Sequence, residues 1–332
     1  MIKKSFHFLV TGGCGFIGSN LTEFLLSQNH NVTIIDNLST GRLENISEFR
    51  NKVNFIQADL NIKGHWVEAF SDVDYVIHLA ALADIVPSIV SPSAYYESNV
   101  NGTFNVLECC RNSKIKKIVY AASSSCYGLA EEYPTPETAN ICPQYPYALT
   151  KRLGEELVMH WNDVYGLPAI SLRFFNVYGP KSRTSGTYGA VFGVFLAQKL
   201  SSKPFTVVGD GTQTRDFTYV GDICSAIYEA STSNASGQIF NVGSNETVSI
   251  NRIVELLGGP VTYIPKRPGE PDCTYADISK ISNELGWQPK VSIEEGIKIL
   301  LDNIEYWKDA PVWNPDSIKE ATSDWFKYLK ND

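Results

Sequence analysis

Tyr147-Ala148-Leu149-Thr150-Lys151 sets a phenol and an amine four residues apart. On a helix that spacing puts both side chains on one face. A tyrosine with a pKa near 10 is a poor base at neutral pH; bringing it to about 7 needs roughly 4 kcal/mol of preferential phenolate stabilisation. One ammonium about 4 Å away supplies roughly that at an effective dielectric near 20, and desolvation subtracts from it. Upstream, the run Ser123-Ser124-Ser125-Cys126-Tyr127-Gly128 ends an apolar segment and offers a hydroxyl. Tyr147 therefore reads as a general base, Lys151 as its charge partner and Ser123 as the group that orients a reacting alcohol.

A second cluster lies near the N-terminus. Thr11-Gly12-Gly13-Cys14-Gly15-Phe16-Ile17-Gly18 follows an apolar run and opens a helical pattern. Gly12 permits a tight turn. Gly15 lets a pyrophosphate approach the backbone at a helix N-terminus, where free N–H groups favour negative charge. Gly18 lets the helix lie close on a sheet. Asp36 stands at the spacing of an acid that holds the adenosine ribose; it repels a 2′-phosphate, and Asn37-Leu38 brings no arginine next to it, so NAD is favoured over NADP.

These residues need a frame. Short β-branched runs at 6–11, 32–36, 53–57, 75–79, 118–122 and 169–173 alternate with helical patterns at 17–27, 66–70, 94–111 and 147–164. Such alternation predicts parallel βαβ units, hence an α/β Rossmann-type doubly wound sheet with helices on both faces. Residues 1–178 are expected to form this nucleotide-binding part, with a later return near 215–245. Residues 179–332, looser and richer in Gly and Pro, are expected to form mainly a smaller mixed α/β substrate lobe and a tail. A helix is expected at 293–307, then an aromatic-rich stretch from Trp313 to Tyr328 to which the sequence assigns no chemistry.

Composition narrows the partners. The chain has 332 residues and a formal net charge of -8, against nucleic-acid or anionic-membrane binding. No stretch is long and apolar enough to cross a membrane, and the apolar run after Met1-Ile2-Lys3-Lys4 is too short for a signal peptide. Seven cysteines without a CxxC pair, and five scattered histidines, give neither a zinc spacing nor a disulfide framework. No metal is expected, and a reducing cytoplasm is.

In order along the chain, further motifs accompany these: Asp36-Asn37-Leu38, Ala58-Asp59-Leu60, His78-Leu79-Ala80-Ala81, Asn99-Val100-Asn101-Gly102-Thr103, Arg173-Phe174-Phe175-Asn176-Val177-Tyr178-Gly179-Pro180, Gly209-Asp210-Gly211 and Arg215-Asp216-Phe217. With them the chain resembles the extended short-chain dehydrogenase/reductases, in their nucleotide-sugar epimerase/dehydratase branch, from about Val10 to Leu285. The resemblance implies an NAD site built by Gly12, Gly15, Phe16, Ile17, Gly18, Asp36, Asn37, Asp59, Leu60, Leu79, Ala80, Ala81, Asn99, Tyr147 and Lys151, with Asp59 at the adenine. It also implies substrate contacts at Ser88, Ser123, Ser124, Asn176, Arg215, Arg267 and Thr274, with Asn176 and the two arginines on a diphosphate. A homodimer is implied, formed through helices 94–111 and 147–164.

The dehydratases of the branch follow the catalytic hydroxyl with an Asp-Glu pair, where this chain has Ser124-Ser125. The run looks instead like that of a 4-epimerase, in which the C4 hydroxyl is oxidised transiently to a ketone and reduced from the other face. Thr274 aligns with a position that gates N-acetylated sugars, which suggests a UDP-GlcNAc or UDP-Glc type of substrate. A 4,6-dehydratase or simple 4-oxidoreductase is the alternative enzyme. A cofactor-binding protein without activity is the alternative of another class; the complete Ser123, Tyr147 and Lys151 set argues against it.

Overall fold

The computed structural model describes residues 4–182 and 189–329; of the opening Met1-Ile2-Lys3-Lys4, only Lys4 lies within them. Strands β1 (His7–Thr11), β2 (Asn31–Asp36), β3 (Asn54–Gln57), β4 (Tyr75–His78), β5 (Lys117–Ser123) and β6 (Ala169–Phe174) fall within one residue of the expected runs at each end. With a seventh strand, Gln238–Val242, they form one parallel sheet. From the edge the order is Gln238–Val242, β6, β5, β4, β1, β2, β3. The sequence direction reverses between β1 and β4, the place where a doubly wound sheet opens a crevice for ligand.

The strands are apolar on both faces because both are covered. Phe8, Val10, Ile34, Ile77 and Val119 point to one side, toward the helices Phe16–Ser27 and Val220–Thr232. Leu9, Ile35, Val76, Ile118 and Tyr120 point to the other, toward Gly102–Arg111 and Pro146–Tyr165. All ten are at most 3% exposed, and each buried side chain of this kind contributes roughly 2 kcal/mol of apolar transfer. A separate core under the second lobe gathers Tyr178, Phe195, Phe205, Ile253, Leu300 and Trp307.

The helix expected at 94–111 is interrupted. Pro92–Tyr96 and Gly102–Arg111 are α-helical, and a π-helical turn, Glu97–Asn101, joins them. The wider turn brings Asn99 out of the regular track, and its amide grips the backbone of Leu82 from both sides, accepting from N at 2.8 Å and donating to O at 2.9 Å. The expected helix at 66–70 is a 3₁₀ segment, His65–Phe70. The tail helix stops at Asp302 and resumes as a 3₁₀ turn, Ile304–Trp307, and the aromatic stretch folds into two short helices, Pro315–Ala321 and Ser323–Tyr328.

The helix Pro146–Tyr165 starts with Pro at its first position and ends on Gly166 in the left-handed region. Midway, Gly154 lies so close to Tyr120 that a Cβ would collide with the phenolic oxygen. That approach lets the Tyr120 hydroxyl donate to the Lys151 carbonyl at 3.2 Å. One turn along, Glu155 receives the Arg173 guanidinium of β6 at 2.7–3.2 Å and the Ser171 hydroxyl at 2.8 Å. Both members of the ion pair are at most 2% exposed.

Candidate active site

Two hollows of about 510 and 500 Å³ lie along the carboxyl ends of the strands and share walls at Phe16, Ile17, Leu79 and Ala81. Each is of a size that takes a small-molecule ligand or cofactor.

The first hollow is floored by the glycine loop. Gly12 adopts φ +72°, and a Cβ on it would meet the Ala80 backbone nitrogen at 2.8 Å. A Cβ on Gly18 would collide with the Gly12 carbonyl. These two glycines therefore pack loop, helix and neighbouring strand without side chains, and together with Gly15 they line the hollow. Asp36 ends β2 there; its carboxylate accepts from the Cys14 and Leu38 backbone N–H groups at 2.9 and 2.8 Å. Burial raises its pKa and those two bonds oppose the rise. Asn37, Asp59, Leu60, Leu79, Ala80 and Ala81 all reach the same wall. Sequence reasoning missed Arg42, which lines this hollow; its guanidinium lies 5.5 Å from the Tyr306 ring and 3.7 Å from Glu44. The Asp36 carboxylate and the side-chain-free cradle fit a dinucleotide.

The second hollow brings Ser123, Tyr147 and Lys151 together. Ser123 is the last residue of β5, and its hydroxyl lies 2.8 Å from the Ser125 hydroxyl. Tyr147 sits in the first turn of its helix, with the Tyr145 ring stacked parallel at 6.5 Å and Tyr95 edge-on at 6.5 Å. Lys151 is 5% exposed, and its ammonium lies 4.4 Å from the centre of the Tyr120 ring. Burial pushes Lys151 down to about 7, partly opposed by Glu155. Tyr147 departs from the simple electrostatic argument: burial holds its phenol above the ordinary range, and the Ser123 hydroxyl only partly offsets this. Desolvation thus outweighs stabilisation.

Farther along, Asn176, Arg215, Arg267 and Thr274 line the same hollow. The Glu270 carboxylate stands between the arginines, 3.2 Å from Arg215 and 2.9 Å from Arg267. The Thr274 hydroxyl donates to Asn176 Oδ1 at 2.8 Å; Tyr275, its neighbour, is not part of the wall. Among the described lining residues the only carboxylates are Asp84 and Glu270, so the turn after Ser123 carries hydroxyls, Ser124 and Ser125, and no acid.

Two expected contacts do not reach the cleft. Ser88 is fully buried and its hydroxyl donates to Ile85 O at 2.6 Å within its own helix. Asn99 is 1% exposed and spends its amide on Leu82 and on Thr150, at 3.1 Å. Its amide instead holds Leu82, next to the loop that carries Leu79 to Ala81. Trp325, from the tail, does reach the cleft, although nothing in its local sequence signalled this.

The family model for GDP-mannose 4,6 dehydratase matches residues 9–300. The chain is similar to the UDP-glucose 4-epimerase of Mycolicibacterium smegmatis, 34% identical over 301 residues, 87% of this chain and 95% of the relative. It is similar to the solved UDP-N-acetylglucosamine 4-epimerase from Methanobrevibacter ruminantium in complex with UDP-N-acetylmuramic acid, at 33% identity and a TM-score of 0.84, covering 90% of this chain and 99% of that one. It is equally similar to the UDP-glucuronic acid 4-epimerase from Bacillus cereus in complex with UDP-glucuronic acid and NAD, at 33% identity and a TM-score of 0.83, with the same coverage.

The depressed Lys151 has a consequence for stability. The unfolded chain keeps its lysine protonated up to about pH 10, whereas the folded protein favours the neutral amine above about pH 7. The penalty for the buried ammonium is therefore full below pH 7 and is relieved as pH rises from about 7 to about 10. Cofactor-free Lys151→Met is expected to melt a few degrees above cofactor-free wild type at about pH 6, with the gap closing by about pH 10. Scanning calorimetry across that range checks this; a lower Tm for the variant at acid pH would show that the Tyr120 contact outweighs the burial.

Proposed function

The chain belongs to the GDP-mannose 4,6-dehydratase family of extended short-chain dehydrogenase/reductases, and on that premise we propose that it is an NAD-dependent nucleotide-sugar 4-epimerase acting on a UDP-hexose. The observation that carries this reading over a 4,6-dehydratase is the turn after β5. Removing water across C5 and C6 needs an acid and a base beside the sugar, and serines at 124 and 125 have pKa values far too high to replace carboxylates. Epimerisation at C4 needs only one proton-transfer group together with the cofactor.

When bound, NAD supplies a hydride acceptor that also returns the hydride. The chain's own residues do the rest. Tyr147 Oη takes the proton of the C4 hydroxyl and gives it back. Ser123 donates to the same sugar oxygen and fixes its position. Lys151 holds positive charge against the developing phenolate and anchors the nicotinamide ribose. Asn176, Arg215 and Arg267 grip the diphosphate, for which the planar donor fork of arginine is suited. Turning the ketone over inside the cleft requires that the sugar be held loosely and the diphosphate firmly.

A cytoplasmic homodimer completes the reading. Tyr96 and Phe104 on one helix run, and Leu149, Val164 and Tyr165 on the adjacent one, are large apolar side chains 45–55% exposed. An exposed set of this kind on two packed helices suits a second copy of the chain.

Four outcomes test these proposals. Incubation with UDP-, GDP-, dTDP- and CDP-sugars, followed by NMR, is expected to show inversion at C4 of a UDP-hexose without net NADH; a 4-keto-6-deoxy product would overturn the assignment. Tyr147→Phe removes one oxygen and should lower turnover about 10²–10⁴-fold with the fold intact; activity within about threefold of wild type would place the base elsewhere. Thr274→Tyr should depress UDP-GlcNAc turnover selectively over UDP-Glc, because bulk inserted beside an acetamido group costs roughly 1–3 kcal/mol; equal losses would sink the gate. For the assembly, Phe104→Glu should convert a dimer to a monomer in light scattering after gel filtration, and a wild-type monomer would remove the interface.

A further inference from the structure

The family match stops at residue 300, yet the described chain continues for another 29 residues and returns to the cleft. The first part of this tail is anchored on the second lobe. Ile318 is buried in that lobe's core, Gln198 Nε2 donates to Trp313 O at 2.8 Å, and Asn314 and Ser317 cap the helix Pro315–Ala321 reciprocally. The final helix, Ser323–Tyr328, then packs against Ile85–Val90, which follows β4 on the nucleotide-binding side. The tail thus ties the two sides of the cleft to each other.

Trp325 is the residue that turns inward. It is 3% exposed, and its indole N–H donates to the Pro268 carbonyl at 2.7 Å. Its ring lies 5.3 Å from the Arg267 guanidinium carbon and 6.1 Å from the Tyr145 ring, which in turn stacks on Tyr147. The turn it holds contains Gly269 at φ +68°, an open conformation with no atom within contact of a Cβ there. The indole's hydrogen bond to the turn and its cation–π contact, together with the Glu270 carboxylate 2.9 Å from Arg267, define where the guanidinium points.

We propose that the C-terminal segment is a clasp across the cleft and that Trp325 is a positioning residue, which sets Arg267 to receive the diphosphate of a nucleotide ligand. The diphosphate rests on the nucleotide-sugar reading above; the holding of the 267–271 turn by Trp325 does not. The indole lowers the conformational freedom that Arg267 would lose on binding, so its removal weakens affinity without removing a donor.

The test uses full-length protein with NAD bound and UDP as the probe, with GDP, dTDP and CDP alongside. Trp325→Ala should weaken UDP binding about tenfold in titration calorimetry, and Trp325→Phe, which keeps a ring over Arg267, should stay within about threefold of wild type. In an Arg267→Ala background the same Trp325→Ala change should add less than about twofold, because the two residues act as one unit. Without nucleotide, hydrogen exchange at 267–271 should speed up in Trp325→Ala and return toward wild type in Trp325→Phe. A Trp325→Ala protein with wild-type affinity, or one equally impaired with and without Arg267, overturns the positioning role. If wild type binds none of the four diphosphates, the nucleotide-sugar reading falls, and the exchange experiment alone decides the clasp: unchanged exchange at 267–271 ends it.

Discussion

The buried pair between Arg173 and Glu155 is the constraint on which the arrangement of the site rests. Arg173 belongs to β6 and Glu155 to the helix that carries Tyr147 and Lys151, so the pair fixes how that helix sits along the sheet. Removing one partner of such a pair is worth roughly 3–5 kcal/mol, because the other charge is left uncompensated. The guanidinium also donates to Tyr127 Oη at 2.7 Å, whose hydroxyl donates to Asn241 Oδ1 at 2.7 Å, and Asn241 Nδ2 reaches the Thr135 carbonyl at 2.9 Å. One continuous polar chain therefore joins the helix, β6, the turn after β5 and the seventh strand. Tyr147 lies on that helix and Ser123 ends β5 directly before that turn, so the two inherit a fixed separation from it.

Against that fixed frame the reacting groups are held at a cost. Lys151 keeps its amine in a buried position beside an aromatic ring, and Tyr147 keeps its phenol where ionisation is disfavoured. Both costs are electrostatic and both shrink when charge of the right sign enters.

Local chemistry was the legible part of the sequence. The glycine loop, Asp36, Tyr147, Lys151 and six strands each depend on a few neighbouring residues, and the structure has them where pattern reasoning put them. The seventh strand, Gln238–Val242, was covered only by a vague return near 215–245, because its interior Asn241 is polar and serves the buried chain, which breaks the apolar signal. Ser88 and Asn99 were placed in motifs correctly but not in direction: a hydroxyl that closes its own helix and an amide spent on Leu82 look the same in sequence as ones that face a ligand. Arg42 and Trp325 were invisible for another reason, since nothing in the local sequence of either signals that it lines a hollow.

Glu270 lies between Arg215 and Arg267, so the two arginines already share a carboxylate. The two guanidiniums consequently expose one unit of positive charge in the resting molecule rather than two. A passing monoanion that enters merely exchanges one negative partner for another and gains little. A ligand with charge on two adjoining phosphates brings more than it displaces. An anion that enters between these guanidiniums therefore meets a threshold on charge density.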